Sequence, residues 1–387
     1  MLLSTLMLLG LAPSFFASAF SLDVTSSSSA SKNHVSANTS ERTSRIAVVG
    51  AGAVGSYYGG RIWESVRSSS NTDVMFHLRN EHYDYCRENG ISVTSIDGDF
   101  IIPSDELLAY PTTKDMAKSA KDGKFDWVVV ALKSTSLDAV PKLIEPLTSP
   151  DTRVLVIMNG LIEDDLIEML REQQGLKCKA VYGGMALICS NRLSPGVINH
   201  SYAGKLVVGV AYSADANNDG NCRYVESDKQ AIIDLFEPVT AVPFEFEDNL
   251  LRGRWWKNTW NLPFNGISVA MGGITTDRIV DDPSLRKLAY KVMDETIATA
   301  NADLANHGFP EEDYLPEEVA EQMMIFTDSM GAYKPSTMLD LHARKPMEVK
   351  YLFRTALDRA TNLGVPVPHM ETLVCQIEAF QRYHNLY

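Results

Sequence analysis

The sequence predicts an α/β half followed by an all-helical half, and three observations carry that expectation. A β-branched run, Arg45-Ile-Ala-Val-Val, leads straight into the glycine series Gly50-Ala-Gly52-Ala-Val-Gly55. Downstream, near-continuous Val, Ile and Leu runs alternate with helix-length stretches, the pattern of strands buried on both faces of a parallel sheet. From about Asn249 onward the pattern is amphipathic and helical, with no convincing strand. The corresponding segments are 1–44, 45–248 and 249–387, the first lying outside the fold.

The glycine series opens a helix read from Ser56 to Val66. In that context Gly50 permits a tight turn and Gly52 lets a pyrophosphate approach the backbone. Gly55 lets helix and strand pack closely, while the helix N-terminus offers N–H groups and a partial positive charge. Gly50, Ala51, Gly52, Ala53, Val54 and Gly55 are therefore candidate cofactor-binding residues. A glycine-rich turn that binds nothing is the bland alternative, and the strand, glycines and helix in register weigh against it.

The second strand, Asp73 to Leu78, ends in Arg79-Asn80. An NAD site usually places an acid here, on the ribose 2′-hydroxyl. Arg79 instead offers a guanidinium fork suited to a 2′-phosphate, which favours NADPH/NADP+ over NAD. Trp127 to Leu132, Arg153 to Met158 and Ala180 to Met185 read as further strands, and Gly196 to Tyr202, Lys205 to Val210 and Val242 to Glu247 as an added antiparallel portion. Ser213 to Asn221 has the composition of a surface loop. Lys133 and Asn159 follow the third and fourth strands, where an open α/β sheet binds its ligand. Lys133 can add positive charge toward the cofactor phosphates, and Asn159 can hydrogen-bond the nicotinamide ribose or a substrate.

The helical half opens with Lys257, Asn261 and Asn265 spaced four apart, so they share one helix face. They lie among Trp, Phe, Leu and Ile, where unpaired polar groups are costly. A carbonyl and a carboxylate would supply partners. Pro263 is expected to kink this helix. Nearer the C-terminus, Ser336 is suited to donate to a substrate carboxylate, and Glu348 to pair with Lys257 and keep it protonated. Spacing alone leaves Asp340 and Glu371 as alternatives to Glu348.

A net charge of −14 argues against a nucleic-acid or anionic-membrane partner. The five cysteines (Cys86, Cys178, Cys189, Cys222, Cys375) lack metal or disulfide spacing, which fits a reduced compartment and no metal. Met1 to Phe20 is uncharged and apolar and ends in Ala17-Ser-Ala19-Phe20, followed by a Ser/Thr-rich stretch to Ser44. This resembles a bipartite signal/transit presequence directing a chain to a complex plastid. A secretory signal and an N-terminal membrane anchor are the alternatives.

Taken in order, Gly50-Ala-Gly-Ala-Val-Gly55, Leu-Lys133, Asn159-Gly, the Lys257–Asn261–Asn265 series, and Ser336 twelve residues before Glu348 resemble the ketopantoate reductase (2-dehydropantoate 2-reductase) family. The likeness runs from Arg45 to the C-terminus. It implies an N-terminal Rossmann-type NADP-binding domain and a C-terminal helical domain of the 6-phosphogluconate dehydrogenase C-terminal type. It also implies NADPH-dependent reduction of a small 2-oxo acid, 2-dehydropantoate, to (R)-pantoate, and dimerisation through the helical half. In that resemblance Arg79 and Lys133 contact the cofactor, and Asn159 lies where cofactor and substrate meet. Lys257 is the general acid; Asn261, Asn265, Ser336 and Glu348 arrange it and the substrate. The residues after Glu348, Val349-Lys350-Tyr351, depart from the family's usual Ile-Asp, and such changes are expected to alter the substrate side. A paralogue acting on another 2-oxo acid, a glycerol-3-phosphate or opine-type dehydrogenase, and a non-catalytic NADPH sensor are the competing readings.

Overall fold

The structure, a computed structural model, describes residues 43–69, 71–120, 123–216 and 224–387. The presequence expected in residues 1–44 therefore lies almost wholly outside the described residues. Among those described, no helix is long and apolar enough to cross a membrane.

The first strand, β1 (Ser44–Val49), lies inside the sheet, parallel to β2 (Thr72–His77) and β6 (Trp127–Val130). Its consecutive apolar side chains serve opposite faces: Ile46 and Val48 join one buried cluster, Ala47 and Val49 the other. Val129 against Val128 and Val130, and Leu155 against Val154 and Val156, divide the same way. Residues of a pleated strand alternate sides, so a continuous apolar run is what two covered faces demand.

The sheet is larger and more mixed than expected. β3 (Ile91–Ser95), β4 (Phe100–Ile102) and β5 (Leu108–Tyr110) fall in stretches that had no strand signal, and they extend its two ends. Beyond β7 (Arg153–Ile157), β8 (Ala180–Ser194) and β9 (Val197–Ser213) make one long antiparallel hairpin. Two separate strands were expected where β9 runs through. Its break at Ala203 and Gly204, both with positive φ, is absorbed as a bulge opposite Leu187 and Ile188. Bulges bend and twist a ladder, and β9 accordingly borders β3 with its first residues and β10 (Phe244–Phe246) with later ones. β10 pairs in parallel, not antiparallel as anticipated.

Helix α1 (Ala53–Val66) follows the glycine loop, and α2 (Asn80–Asn89) follows β2. Two short helices, α3 (Thr113–Ser119) and α4 (Val140–Ile144), then α5 (Glu163–Gln174) and α6 (Glu226–Phe236), complete the α/β half. The helical half begins at α7 (Leu250–Ala270), whose first turn is capped by Asn249 Oδ1 accepting from the Arg252 N–H at 3.1 Å. Pro263 does not interrupt α7, in contrast to the expected kink. It is buried beside Leu262 and Phe264 in the helical core, where packing on both sides holds the turn that lacks one N–H. α8 (Thr276–Asp281), α9 (Pro283–Asn306), α10 (Glu318–Asp328) and α11 (Ser336–His342) follow. A π-helical turn (Lys350–Arg354), α12 (Thr355–Asn362) and α13 (Pro368–His384) end the chain.

Arg254 of α7 bolts the halves together. Its Nε and one terminal nitrogen donate to Glu163 Oε1 at 2.9 and 2.6 Å; the other donates to the carbonyls of Met158 (2.6 Å) and Gly184 (3.3 Å). Arg254 is only 3% exposed, so each acceptor that loses it stays unsatisfied. Arg254→Met should reduce stability in urea unfolding by about 3–5 kcal/mol, the usual result of breaking a buried pair on one side. A loss under about 1 kcal/mol, as for a surface pair, would contradict this role.

Candidate active site

Apart from Glu348, which lies between α11 and the π-helical turn, the groups expected at the site lie past the carboxyl ends of β1, β2, β6 and β7 or on α7 and α11. The glycine loop comes first. Gly50 has φ +89°, and a Cβ there would meet Leu132 Cδ2 at 2.3 Å. A Cβ at Gly55 would lie 2.5 Å from the Gly50 carbonyl oxygen, so the helix approaches the loop closely. A Cβ at Gly52 would meet no atom within 4 Å, leaving open space at the position a pyrophosphate needs. The intrahelical bonds of α1 begin with the Ser56 N–H donating to Gly52 O, so the amides of Ala53, Val54 and Gly55 remain for an anion.

Arg79 lies two residues past His77, which pairs with Val49 in the ladder, and the Ala51 N–H reaches the His77 carbonyl. Its side chain is exposed, and among the described residues it has no ion-pair or hydrogen-bond partner. The open Gly52 cradle, the free amides and this guanidinium together fit a dinucleotide carrying a 2′-phosphate. Lys133 differs from expectation. It is paired with Asp340 of α11, so it closes the cleft between the halves rather than standing ready for phosphate. Burial raises the Asp340 carboxyl pKa, and the Lys133 ammonium opposes that rise.

Lys257, Asn159 and Glu348 form a continuous chain. Lys257 Nζ donates to Asn159 Oδ1 at 2.9 Å and to the Ala186 carbonyl at 2.8 Å. Asn159 Nδ2 donates to Glu348 Oε2 at 3.2 Å, while Glu348 Oε1 accepts from the Ser134 amide (2.8 Å) and hydroxyl (2.9 Å). The expected direct Lys257–Glu348 pair is thus replaced by a link through Asn159. With the Asn159 amide between them, the carboxylate acts on the ammonium at a distance. Burial depresses the Lys257 pKa to about 7; the Arg254 guanidinium adds to the fall and the Glu348 carboxylate opposes it. Of the three candidate acids, then, Glu348 joins the Lys257 chain, Asp340 holds Lys133, and Glu371 is exposed on α13.

A second chain runs from α7 to α11. Asn265 Nδ2 donates to Asn261 Oδ1 at 3.2 Å. Asn265 Oδ1 accepts from the Thr337 N–H (3.0 Å) and the Ser336 hydroxyl (3.4 Å). Asn265 is fully buried and holds the start of α11 through Thr337. Asn261, whose amide nitrogen donates to no described residue, and the exposed Ser336 remain as groups for a ligand.

The residues after Glu348 pack chiefly into the core and against the sheet. Val349 and Phe353 enter the helical core, and Tyr351 packs under the sheet. Lys350 pairs with Asp165, and Arg354 with Glu378. Tyr351 and Lys350 thereby join the two halves, while Val349, Phe353 and Arg354 serve the helical half. Four partners carried too little side-chain signal to be found in advance: the Ala186 and Met158 carbonyls, Ser134, and Arg254 in its bolt. Backbone acceptors have no residue-type signature. Gly160 shows the tightness of that docking: its φ is +88°, and a Cβ would lie 2.4 Å from the Tyr351 carbonyl oxygen. Gly160→Ala should lower stability by at least about 1–3 kcal/mol, the typical cost of one strained backbone position. An unchanged urea midpoint would contradict that geometry.

Residues 46–212 match the family model described as ketopantoate reductase PanE/ApbA, and residues 249–381 match that of its C-terminal domain. The 2-dehydropantoate 2-reductase of Nostoc sp. is 32% identical over 335 residues, covering 86% of this chain and 94% of that one. The crystal structure of a 2-dehydropantoate 2-reductase from Geobacter metallireducens has a TM-score of 0.72 at 31% identity, covering 87% of this chain and 99% of that one. A D-mandelate dehydrogenase solved with NADH and anilino(oxo)acetate shares the fold alone, with a TM-score of 0.69 at 18% identity. It covers 89% of this chain and 100% of its own. A glycine loop, a half-buried lysine and two asparagine-linked chains in this order therefore have a family to belong to: the chain is a member of the ketopantoate reductase family.

Proposed function

We propose that this chain reduces 2-dehydropantoate to (R)-pantoate with NADPH, as an NADP-dependent oxidoreductase acting on a CH–OH group. The observation that carries the reading is Lys257, an ammonium drawn to a pKa of about 7 and held by two oxygens at the mouth of the sheet. NADPH, when bound, supplies a hydride to the ketone carbon. Negative charge then grows on the carbonyl oxygen, and a positioned cation there stabilises it. Lys257 meets that charge and releases a proton to the oxygen, leaving a neutral amine held by Asn159 and Ala186. An acid whose pKa lies near the working pH balances being protonated against giving the proton up.

Glu348 acts from behind. Through Asn159 it keeps the amide oriented with its oxygen toward Lys257, and its charge favours the ammonium. Ser336 and Asn261 offer a hydroxyl and an amide to the substrate carboxylate. Arg79 and the glycine loop hold the nucleotide.

The test is NADPH oxidation by the full chain with 2-dehydropantoate, beside a panel of other 2-oxo acids and NADH. Turnover with 2-dehydropantoate and NADPH well above the panel is the expected result. Preference for another 2-oxo acid overturns the substrate, and NADPH binding without any reduction overturns the enzyme reading. Lys257→Ala should lower kcat on the order of 10²-fold or more, the scale of general acid catalysis. Asn159→Ala, which frees the ammonium from its tether, should cost about 10²-fold through misplacement alone. Near-normal turnover in either variant contradicts the assigned role.

A further inference from the structure

We propose that His82, a residue with no place in the hydride or proton transfer, is a positioning residue for the cofactor: its ring fixes the peptide plane of the glycine loop against the tip of the β8–β9 hairpin. This rests on the reading of that loop as the NADPH site. His82 lies on α2 and is 7% exposed. One ring nitrogen, Nε2, lies 2.9 Å from the Ala51 carbonyl oxygen. The other, Nδ1, receives the Gly196 N–H at 3.1 Å and faces the Cys86 thiol at 3.6 Å.

These partners decide the protonation of the ring. A carbonyl can only accept, so Nε2 carries the proton. A backbone N–H donates to Nδ1, so Nδ1 is the bare lone pair. The ring is neutral, with one tautomer, bridging an acceptor in the loop and a donor in the hairpin. Burial holds its pKa below the usual 6.5; the bond to Ala51 opposes that and Arg192 adds to it. Glu81 in the same turn and Asp84 two residues on are exposed.

The Ala51 carbonyl also accepts from the Ser56 hydroxyl at 3.0 Å, so two side chains pull it into the protein. A trans peptide points its N–H opposite to its C=O. The next amide, Gly52 N–H, accordingly closes on the Gly50 carbonyl at 2.7 Å, and a Cβ at Gly52 would meet open space. The hairpin end of the bridge is itself fixed, since the Ser92 N–H of β3 donates to the Gly196 carbonyl at 2.8 Å. His82 therefore holds the carbonyl of the loop that must receive a pyrophosphate, and burial in the fold with the Gly196 bond orients its ring.

Glutamine and asparagine separate the two bonds. A glutamine amide reaches the Nε2 position and keeps a donor for Ala51, while the Asn Oδ1 takes the Nδ1 position and keeps only the acceptor for Gly196. The full chain, His82→Gln and His82→Asn are titrated with NADPH by its fluorescence, and KM for NADPH is compared with kcat. His82→Gln should bind NADPH within about threefold of the native chain, whereas His82→Asn should bind about tenfold more weakly, the value of one lost hydrogen bond to the loop. In both, kcat at saturating NADPH should stay within about twofold, since neither bond touches the reacting atoms. Equal losses in the two variants, or the reverse order, overturn the proposal and assign His82 to general packing. If His82→Asn does not fold, Ser56→Ala decides: it removes the second donor to the same carbonyl and should raise KM for NADPH severalfold with kcat retained, and an unchanged KM overturns the proposal. Failure of the native chain to bind NADPH overturns the cofactor reading and this proposal together, which none of the variant outcomes does.

Discussion

The arrangement depends on a half-buried cation with only neutral oxygens on it. Lys257 Nζ is held by an amide oxygen and a backbone carbonyl, and the nearest carboxylate acts on it through Asn159. A direct carboxylate would stabilise the ammonium and raise its pKa; removing the carboxylate would leave the charge unsupported. The interposed amide sets an intermediate: enough negative potential to keep a proton near neutrality, too little to lock it there.

That constraint explains why the halves of the chain meet where they do. Asn159 must stand at the end of β7, so the Asn159–Gly160 turn presses on the backbone of the π-helical turn after Glu348. Glu348 must reach back to Ser134 at the end of β6, which fixes the stretch between α11 and that turn. Ala186 must present its carbonyl from β8, next to the bulge at Leu187 and Ile188. Arg254, one turn before Lys257 on α7, carries a like charge that further lowers the lysine. Its own fork is absorbed by Glu163 and two carbonyls, so the repulsion is tolerated. Lys133 with Asp340 closes the other side of the cleft.

Much of this was legible in the sequence, and the limits are physical. The parallel core announces itself because strands covered on both faces need unbroken apolar runs, as Trp127-Val-Val-Val and Arg153-Val-Leu-Val do. β3, β4 and β5 are short and lie toward the sheet ends, where Thr94, Ile101 and Leu108 face solvent and dilute the pattern. The long hairpin read as two strands because Ala203-Gly204 looks like a turn, and only the cross-strand bulge shows that it is not. At the site, Lys257 stood out as a charged residue in apolar company, whereas spacing left Glu348 level with Asp340 and Glu371. The connection of Lys257 to Glu348 through Asn159 was hidden, since spacing reports which residues share a face and not which amide stands between them. Asn265 shared that face with Lys257, yet its burial under the start of α11 gives it a supporting role.

The central claim is that Lys257 is the proton donor and titrates near neutrality before substrate binds. The most direct test is the pH dependence of kcat/KM for 2-oxo acid reduction at saturating NADPH, which reports the ionisation of the enzyme before it takes up substrate. The acid must be protonated to act, so activity is full below its pKa and is lost as pH rises through it. The account gives a plateau at low pH and a tenfold fall per unit above about 7, set by burial and the Arg254 charge against the Glu348 carboxylate. A profile flat to pH 9, the behaviour of an ordinary lysine with its pKa near 10.4, would contradict it.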